Sequence, residues 1–311
     1  MARRLIAWWW PKRGPLQWTG RLRTERGFAL HTFSAEASAV LAGPAWLRER
    51  RAAGYEAFSS TPFPSEEEEV WRYTPIDDLA LEEFAPGPPD APPPASGSPG
   101  EDMLAALRQD LGSTAGSVLV HDGRPGAFAV GNGPASEFAF GGAGEVPTSR
   151  DLLGSVQHGG DALVRLNDAF TPDPVFVDVP AGVALDQPLL VVHWCEPGAA
   201  AFPRTVVRAG EGAKVAVVEV FAGAQGAGRS LVVPVTELAA APGASLSYVS
   251  LQILGGAAWS IARLAARGAA GSTLRTFTVG LGASYGRMRT DVALDGRDAS
   301  CEVLSAYLGD G

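Results

Sequence analysis

The sequence has little lysine and little cysteine, and both shortages limit what the protein can do. Only Lys12 and Lys214 are lysines, so 23 of the 25 basic residues are arginines. No lysine follows a glycine-rich pattern of the P-loop kind, which excludes ATP binding through a Walker motif. The two cysteines, Cys195 and Cys301, are too few for a disulfide framework and favour a reducing cytoplasm.

The sequence also lacks a long apolar run and an excess of positive charge. No stretch is long enough to cross a membrane, so we expect no membrane partner. The formal net charge is -9 over 311 residues. Residues 1–27 hold seven Arg or Lys against one Glu, so the rest of the chain is more acidic still. An acidic protein of this kind is not expected to bind nucleic acid.

The last third of the chain repeats itself about every thirty residues. The repeated turns lie at Gly182, Gly212, Gly243, Gly271 and Asp298, which are 30, 31, 28 and 27 residues apart. A segment that alternates apolar and polar residues follows each turn, and a second segment of this kind lies before the next. Such a period is typical of a solenoid, here with two strands in each coil.

Stacking the copies in register produces three columns of apolar residues, which we expect to form the inward face of each coil. The columns are Val215, Leu246, Leu274 and Cys301; Val218, Val249, Phe277 and Leu304; and Val220, Leu251, Val279 and Ala306. Because equivalent strands then lie side by side and parallel, the sequence predicts a mainly β fold, a right-handed parallel β-helix after a helical N-terminal region. An antiparallel sandwich with coincidental spacing is the alternative.

Composition and pattern divide the chain into five segments. They are a disordered or non-native leader at 1–27, a helical region at 28–84, a Pro-rich linker at 85–100, a mixed α/β segment at 101–170, and a parallel β-helix at 171–311. The leader is not read as a signal peptide, because its apolar run is short and no cleavage site of small residues follows.

Local patterns predict several helices before the β-helix. Apolar spacing predicts helices between Ser34 and Tyr55, broken at Gly43-Pro44. Ser65 and Glu68 form a capping box, which predicts a short, well-capped helix. Two further helices are expected over 101–111 and 152–169.

Two motifs suggest chemistry, and neither is complete. Gly282, Ser284 and Gly286 match the G-x-S-x-G nucleophile elbow, but strand-like residues follow and no later histidine completes a triad. His193 and Cys195 lie two residues apart and therefore on one face of a strand, where they could hold half of a zinc or iron site. The sequence offers no second pair of ligands, so a structural role is the simpler interpretation.

A polysaccharide-processing enzyme or glycan-binding module on a β-helix is a further alternative. The acidic residues Glu219, Glu237, Asp291 and Asp295 are scattered and form no recurring catalytic pair. The best candidates for a basic outer groove are Arg263, Arg267, Arg275, Arg287 and Arg289. A solvated basic face explains these arginines equally well. We therefore predict no catalytic, cofactor-binding or metal-binding residue, and no enzymatic activity.

Four stretches carry a resemblance to a known family through their order and spacing over residues 28–311. They are Glu69-Val70-Trp71-Arg72-Tyr73-Thr74; Leu166-Asn167-Asp168-Ala169-Phe170 followed by 175–180; Phe202-Pro203-Arg204-Thr205; and the segment 281–296. Together they resemble the SufB/SufD family, the scaffold subunits of the SUF iron-sulfur cluster assembly machine, and the SufD branch in particular.

The resemblance implies a non-catalytic scaffold with a helical N-terminal region, a right-handed parallel β-helix and a C-terminal helical domain. SufD-like subunits pair with SufB through their β-helices, and both bind the ABC-type ATPase SufC through the C-terminal domain. The resemblance implies no stably bound cofactor, since an iron-sulfur cluster or iron would be held only transiently in the complex.

The chain departs from the family pattern at two places. The family continues with further coils and the C-terminal domain after the position of Gly311, so we expect an incomplete β-helix. The late Cys/His segment of the family is therefore absent, and no ligand residue is carried over. Phe221 occupies a position that holds a cysteine in SufB-like chains, which favours the SufD branch.

Overall fold

A computed structural model describes residues 32–88, 97–131, 137–157, 159–224 and 228–309. The leader predicted at 1–27 and the middle of the predicted linker lie outside these ranges. Within them, no helix is both long enough and apolar enough to span a membrane.

Five α-helices precede or flank the β-structure in the described ranges. They are α1 (Ala35–Ala39), α2 (Ala45–Ser60), α3 (Pro99–Leu111), α4 (Ser149–Leu152) and α5 (Ala162–Phe170). The break predicted at Gly43-Pro44 separates α1 from α2. Side-chain oxygens of Ser34, Ser98 and Asp161 accept backbone N–H groups at the start of α1, α3 and α5, as N-caps do.

Two predicted helices differ from the structure. After Ser65 the chain forms successive turns with i to i+3 hydrogen bonds, although the N–H of Ser65 does bond the Glu68 carboxylate at 3.2 Å. The helix predicted over 152–169 is also wrong in its first half. Gly154, Gly159 and Gly160 adopt positive φ there, so the helix begins only after the Asp161 cap.

Sixteen strands are described. They are β1 (Gly116–His121), β2 (Arg124–Pro125), β3 (Ala129–Val130), β4 (Ala139–Gly141), β5 (Val175–Val179), β6 (Leu189–Cys195), β7 (Ala200–Ala201), β8 (Arg204–Ala209), β9 (Lys214–Gly223), β10 (Ser230–Val232), β11 (Val235–Ala240), β12 (Ser245–Ile253), β13 (Ala258–Gly268), β14 (Thr273–Gly280), β15 (Tyr285–Leu294) and β16 (Ser300–Tyr307).

These strands form two sheets that confirm the solenoid. Sheet 1 has the order β16-β14-β12-β9-β6-β1, with β2 and β3 antiparallel at its end. Sheet 2 places β5, β8, β11, β13 and β15 side by side, with β4 antiparallel to β5. The equivalent strands of successive coils are parallel, giving about five turns. The antiparallel sandwich is therefore wrong.

The predicted register is confirmed, but two of the three predicted columns face outward. Val215 pairs with Leu246, and Val218 with Val249, as expected. Successive side chains of a strand point to opposite faces, so positions three apart cannot share one. The Val215 column faces the interior. The second column lines the outer face of sheet 1, where Phe277 is 39% exposed and Leu304 is 51% exposed.

The repeated turns stack on one another at one corner of the solenoid. Gly182, Gly212, Gly243, Gly271 and Asp298 all have positive φ, between 62° and 73°. The N–H of Gly212 bonds the carbonyl of Pro242, and the N–H of Gly243 bonds that of Ala270, so each corner is tied to the next coil. The glycines predicted from spacing alone are thus the residues that the left-handed backbone favours.

Helices cover the outer faces of both sheets at the N-terminal end. Leu104 and Leu107 of α3 pack on Leu119, Leu190 and Val192 of sheet 1. Helix α5 and the turns around Trp71 pack on the outer face of sheet 2 in a second apolar cluster. Functional side chains can therefore lie inside the coils or between the helices and sheet 2.

Candidate functional site

A buried polar cluster lies inside the solenoid, around the carboxylate of Glu219. This side chain sits on β9, where alternation turns it inward between apolar neighbours. Nε2 of His193 lies 2.7 Å from Oε1 of Glu219, and the hydroxyl of Thr205 donates to the same oxygen at 2.5 Å. Oε2 accepts from Thr236 at 3.0 Å and also from the Tyr248 hydroxyl. The cluster joins both sheets across the interior.

The cluster keeps a charge inside an apolar solenoid. Glu219 and His193 are each 1% exposed. Burial alone would raise the pKa of Glu219, but His193 and the hydroxyls of Thr205 and Tyr248 outweigh it and lower that pKa. Burial and the Glu219 charge raise the pKa of Tyr248 well above its usual range. The carboxylate therefore stays ionised and Tyr248 stays a hydrogen-bond donor.

His193 and Cys195, the pair considered as half of a metal site and interpreted as structural, lie in two different environments. His193 and Cys195 do share one face of β6, but His193 binds Glu219, and its ring stacks on Phe221 with centroids 4.7 Å apart. Cys195 packs among Phe221, Leu254 and other apolar residues, and burial raises its thiol pKa. In the described ranges, no group of three or more His, Cys, Asp or Glu residues is arranged to hold a metal ion.

The G-x-S-x-G segment does not form a nucleophile elbow. Ser284 lies in the connection from β14 to β15, so a strand rather than a helix follows it, as its sequence context indicated. Its hydroxyl donates to the carbonyl oxygen of Ala258 at 2.9 Å. A serine bonded to a carbonyl has no base to take its proton, so this segment closes a coil.

A second buried cluster lies outside sheet 2 and joins two of the four family-like stretches. Arg204, which is 2% exposed, donates to Asn167 at 3.1 Å, to Asp168 at 2.9 Å and to Glu237 at 2.7 Å. Glu237 also accepts N–H groups from the loop at 154–157. Burial would lower the pKa of Arg204, but Glu237 and Asp168 outweigh it and raise it. Arg204 thus ties α5 and its preceding loop to the solenoid.

The remaining stretches meet at Trp71. The guanidinium of Arg287, on β15, lies over the Trp71 ring at 4.1 Å and donates to the carbonyl of Val70 at 2.8 Å. Trp71 itself is 2% exposed. Residues far apart in sequence are therefore brought together to attach the helical region to the coils, which is a structural role.

The five groove arginines do not share one surface. Arg275 is on sheet 1 beside Glu302, and Arg267 on sheet 2 pairs with Asp295. Only Arg263, Arg287 and Arg289 converge, on the outer face of sheet 2.

In the sequence, Glu219 and Glu237 are two acidic residues without a recurring pattern, but both side chains are buried in the structure. The signal that marks Glu219 is a carboxylate at an inward position of an alternating apolar strand.

The fold and these clusters define a parallel β-solenoid to which the helical region is attached through Arg204 and Arg287. Residues 193–311, which form its later coils, match the family model described as SUF system FeS cluster assembly, SufBD core domain. The later coils are therefore similar to a SufBD core domain. The match does not separate the SufD branch from the SufB branch. A search of curated proteins found no match.

Proposed function

We propose that this chain is a SufD-like scaffold subunit of the SUF complex and acts in the cytoplasm by protein assembly, not catalysis. The observation that carries the proposal is the SufBD core match over 193–311, on a parallel solenoid in which Glu219 binds His193 and Glu237 binds Arg204. The core match supports membership of the SUF system. The finer assignment to the SufD branch rests on one residue inside the coils, Phe221.

Phe221 supports the SufD branch. In SufB-like chains we expect a cysteine at this position. Here the phenyl ring fills the interior between His193 and the apolar cluster around Cys195. An aromatic ring has no thiolate to carry sulfur, so this coil can support a partner without taking part in sulfur chemistry.

The proposed partners are a SufB-like subunit, bound through the β-helix, and a SufC-like ABC ATPase. The resemblance implies that the ATPase binds a C-terminal helical domain, whereas the last described residues here, 228–309, form strands of the solenoid. An iron-sulfur cluster or iron would be held by the complex and only transiently. Because the two partners would bind different parts of the protein, these residues should bind the SufB-like subunit and not the ATPase.

Copurification tests these assignments. The tagged 311-residue chain is coexpressed with the SufB-like, SufD-like and SufC-like proteins of its own genome. We expect it to retain the SufB-like protein and to lose the SufC-like ATPase. Stoichiometric retention of the ATPase would show that its interface lies within these residues.

Two controls make the experiment decisive. An unrelated tagged β-solenoid of similar size measures nonspecific capture. Preference for the SufD-like protein over the SufB-like one would place the chain in the SufB branch instead. Failure to bind either, together with measurable polysaccharide turnover, would favour the β-helix enzyme or glycan-binding alternative.

A further inference from the structure

Three arginines converge on the outer face of sheet 2, beside the turns that contain Trp71. Arg263 and Arg289 are directly opposite each other on the neighbouring strands β13 and β15, and Arg287 is two residues along the same face. Neighbouring strands are about 4.8 Å apart, and like charges placed directly opposite destabilise a sheet. The arrangement therefore needs negative charge nearby.

The residues that the structure describes supply only part of that charge. Asp291 pairs with both Arg263 and Arg289. Asp161, at the rim, accepts the N–H groups of Leu163 and Val164 as the cap of α5. Three guanidiniums are thus neutralised in part by one close carboxylate, Asp291, while the second carboxylate, Asp161, already accepts the backbone N–H groups at the start of α5.

The guanidiniums line a depression with an apolar floor. It is a shallow hollow, open to solvent, with a cavity volume of only about 10 Å³, and Trp71, Val164 and Ile261 contribute apolar walls. Arg263 is 14% exposed, and Arg287 is held against the Trp71 ring. Burial lowers the pKa of both arginines, which shows the cost of keeping these charges partly out of water.

Donors remain to bind an anion. Arg263 uses Nε on Gln157 and one terminal nitrogen on Asp291. Among the residues that the structure describes, the terminal nitrogens of Arg289 have no hydrogen-bond partner, and Arg287 uses one of its two on Val70. Planar forks of N–H donors match the oxygens of a phosphate group.

We propose that Arg263, Arg287 and Arg289 form a binding site for a phosphate-type oxyanion, either free phosphate or the phosphoryl group of a small ester. The site would bind by charge and hydrogen bonds and needs no P-loop. It does not depend on the assignment of the chain to the SUF complex.

Calorimetric titration tests the site. Inorganic phosphate and AMP are titrated separately into the full chain, with chloride holding the ionic strength constant. We expect saturable binding that Arg289→Gln and Arg263→Gln weaken by about 10- to 100-fold, the effect of losing a charged hydrogen bond. Tighter binding of AMP than of phosphate would identify an ester as the ligand, and equal or weaker binding would identify free phosphate.

Two further variants separate binding from folding. Arg275→Gln removes an arginine from sheet 1 and should leave the affinity unchanged. Asp291→Asn removes the carboxylate that competes for the same guanidiniums and should raise the affinity severalfold, which a merely structural role would not produce. Circular dichroism checks the fold of each variant.

The proposal is overturned by any of three results. These are no saturable phosphate binding by the unsubstituted chain, equal weakening in Arg275→Gln, or binding of polyglutamate without binding of phosphate. The first two would make the arginines a solvated face, and the third would make them a docking surface for an acidic protein segment.

Discussion

At the scale of single residues, backbone conformation matters most at the corner turns. Four glycines and Asp298 adopt a left-handed backbone there. Glycine reaches this region without strain, whereas a side chain costs roughly 1–2 kcal/mol. The corners thus explain why glycine recurs at a fixed spacing.

Replacing a corner glycine by alanine should destabilise the protein through the backbone alone. Gly243 has φ of 67°, and an added Cβ would meet its nearest neighbours only at 4.0 Å. We therefore expect Gly243→Ala to reduce the free energy of unfolding by about 1–2 kcal/mol, measured by urea denaturation. Gly144→Ala is the matched control, because Gly144 has open space and no positive φ. Equal stability of the two variants would contradict the conformational explanation.

At the scale of elements, buried charges attach the helices to the solenoid. Arg204 on β8 contacts Asn167 and Asp168 on α5 and Glu237 on β11. A packed apolar residue could fill the volume of Arg204, but Glu237 would lose its cationic partner and Asp168 would keep only the more distant Arg165. The loss of the ion pairs, and not a change in packing volume, should therefore account for most of the loss of stability.

Replacing Arg204 by methionine should therefore be strongly destabilising. We expect Arg204→Met to reduce the free energy of unfolding by about 3–5 kcal/mol, as found when one partner of a buried ion pair is removed. Arg267→Met provides the comparison, since Arg267 and Asp295 are both about half exposed. That variant should lose less than about 1 kcal/mol, as surface ion pairs do. Similar losses in the two variants would argue against a role for Arg204 burial.

The same cluster predicts how stability depends on pH. Burial would raise the pKa of Glu237, but the Arg204 charge and the N–H groups of Gln157 and Gly154 outweigh it and lower that pKa. Because the pKa of Glu237 is lower in the folded state, its carboxylate stabilises the protein at pH values above its unfolded pKa of about 4.3. This stabilisation is lost as the pH falls through the folded pKa.

Urea denaturation at several pH values checks this prediction. The stability difference between the unsubstituted chain and Glu237→Gln should be constant near neutral pH and should narrow below about pH 4. A difference that persists unchanged into strong acid would show that the Glu237 charge does not contribute.

Elements were predictable where the pattern is local and repeated. The turns, the strand register and the break at Gly43-Pro44 follow from spacing and residue type. The outward orientation of two of the three columns was not predicted. Alignment of the repeats shows which residues pair on neighbouring strands, but not whether their side chains point inward or outward. The partners of Glu237 come from a loop some eighty residues earlier, and no local pattern encodes such a contact.

At the scale of the whole molecule, the solenoid separates the two cysteines. Cys195 lies on β6 and Cys301 on β16, with β9, β12 and β14 between them. Four strand spacings separate them by roughly 19 Å across the sheet, and the register also places Cys195 eight residues further along the strands than Cys301, roughly another 26 Å. No four-thiolate site can form from such a pair within one chain.

Anaerobic reconstitution with iron and sulfide should therefore leave this chain without a stable cluster. The measurement is sulfur-to-iron charge-transfer absorption after desalting, with iron and sulfide content determined in parallel. The double variant Cys195→Ala and Cys301→Ala should give the same background as the unsubstituted chain. A cluster that survives desalting in the unsubstituted chain and disappears in the double variant would contradict this prediction.

The stacked corner also determines where this chain can change in length. Successive corners are separated by 27 to 31 residues, yet the N–H of each of the four corner glycines reaches the coil that follows. Coils of unequal length must therefore take up the difference elsewhere, in connections such as 254–257 between β12 and β13. A one-residue insertion there would only lengthen a loop. A one-residue insertion just after a corner would instead shift the next strand by one residue and turn its interior side chains toward solvent.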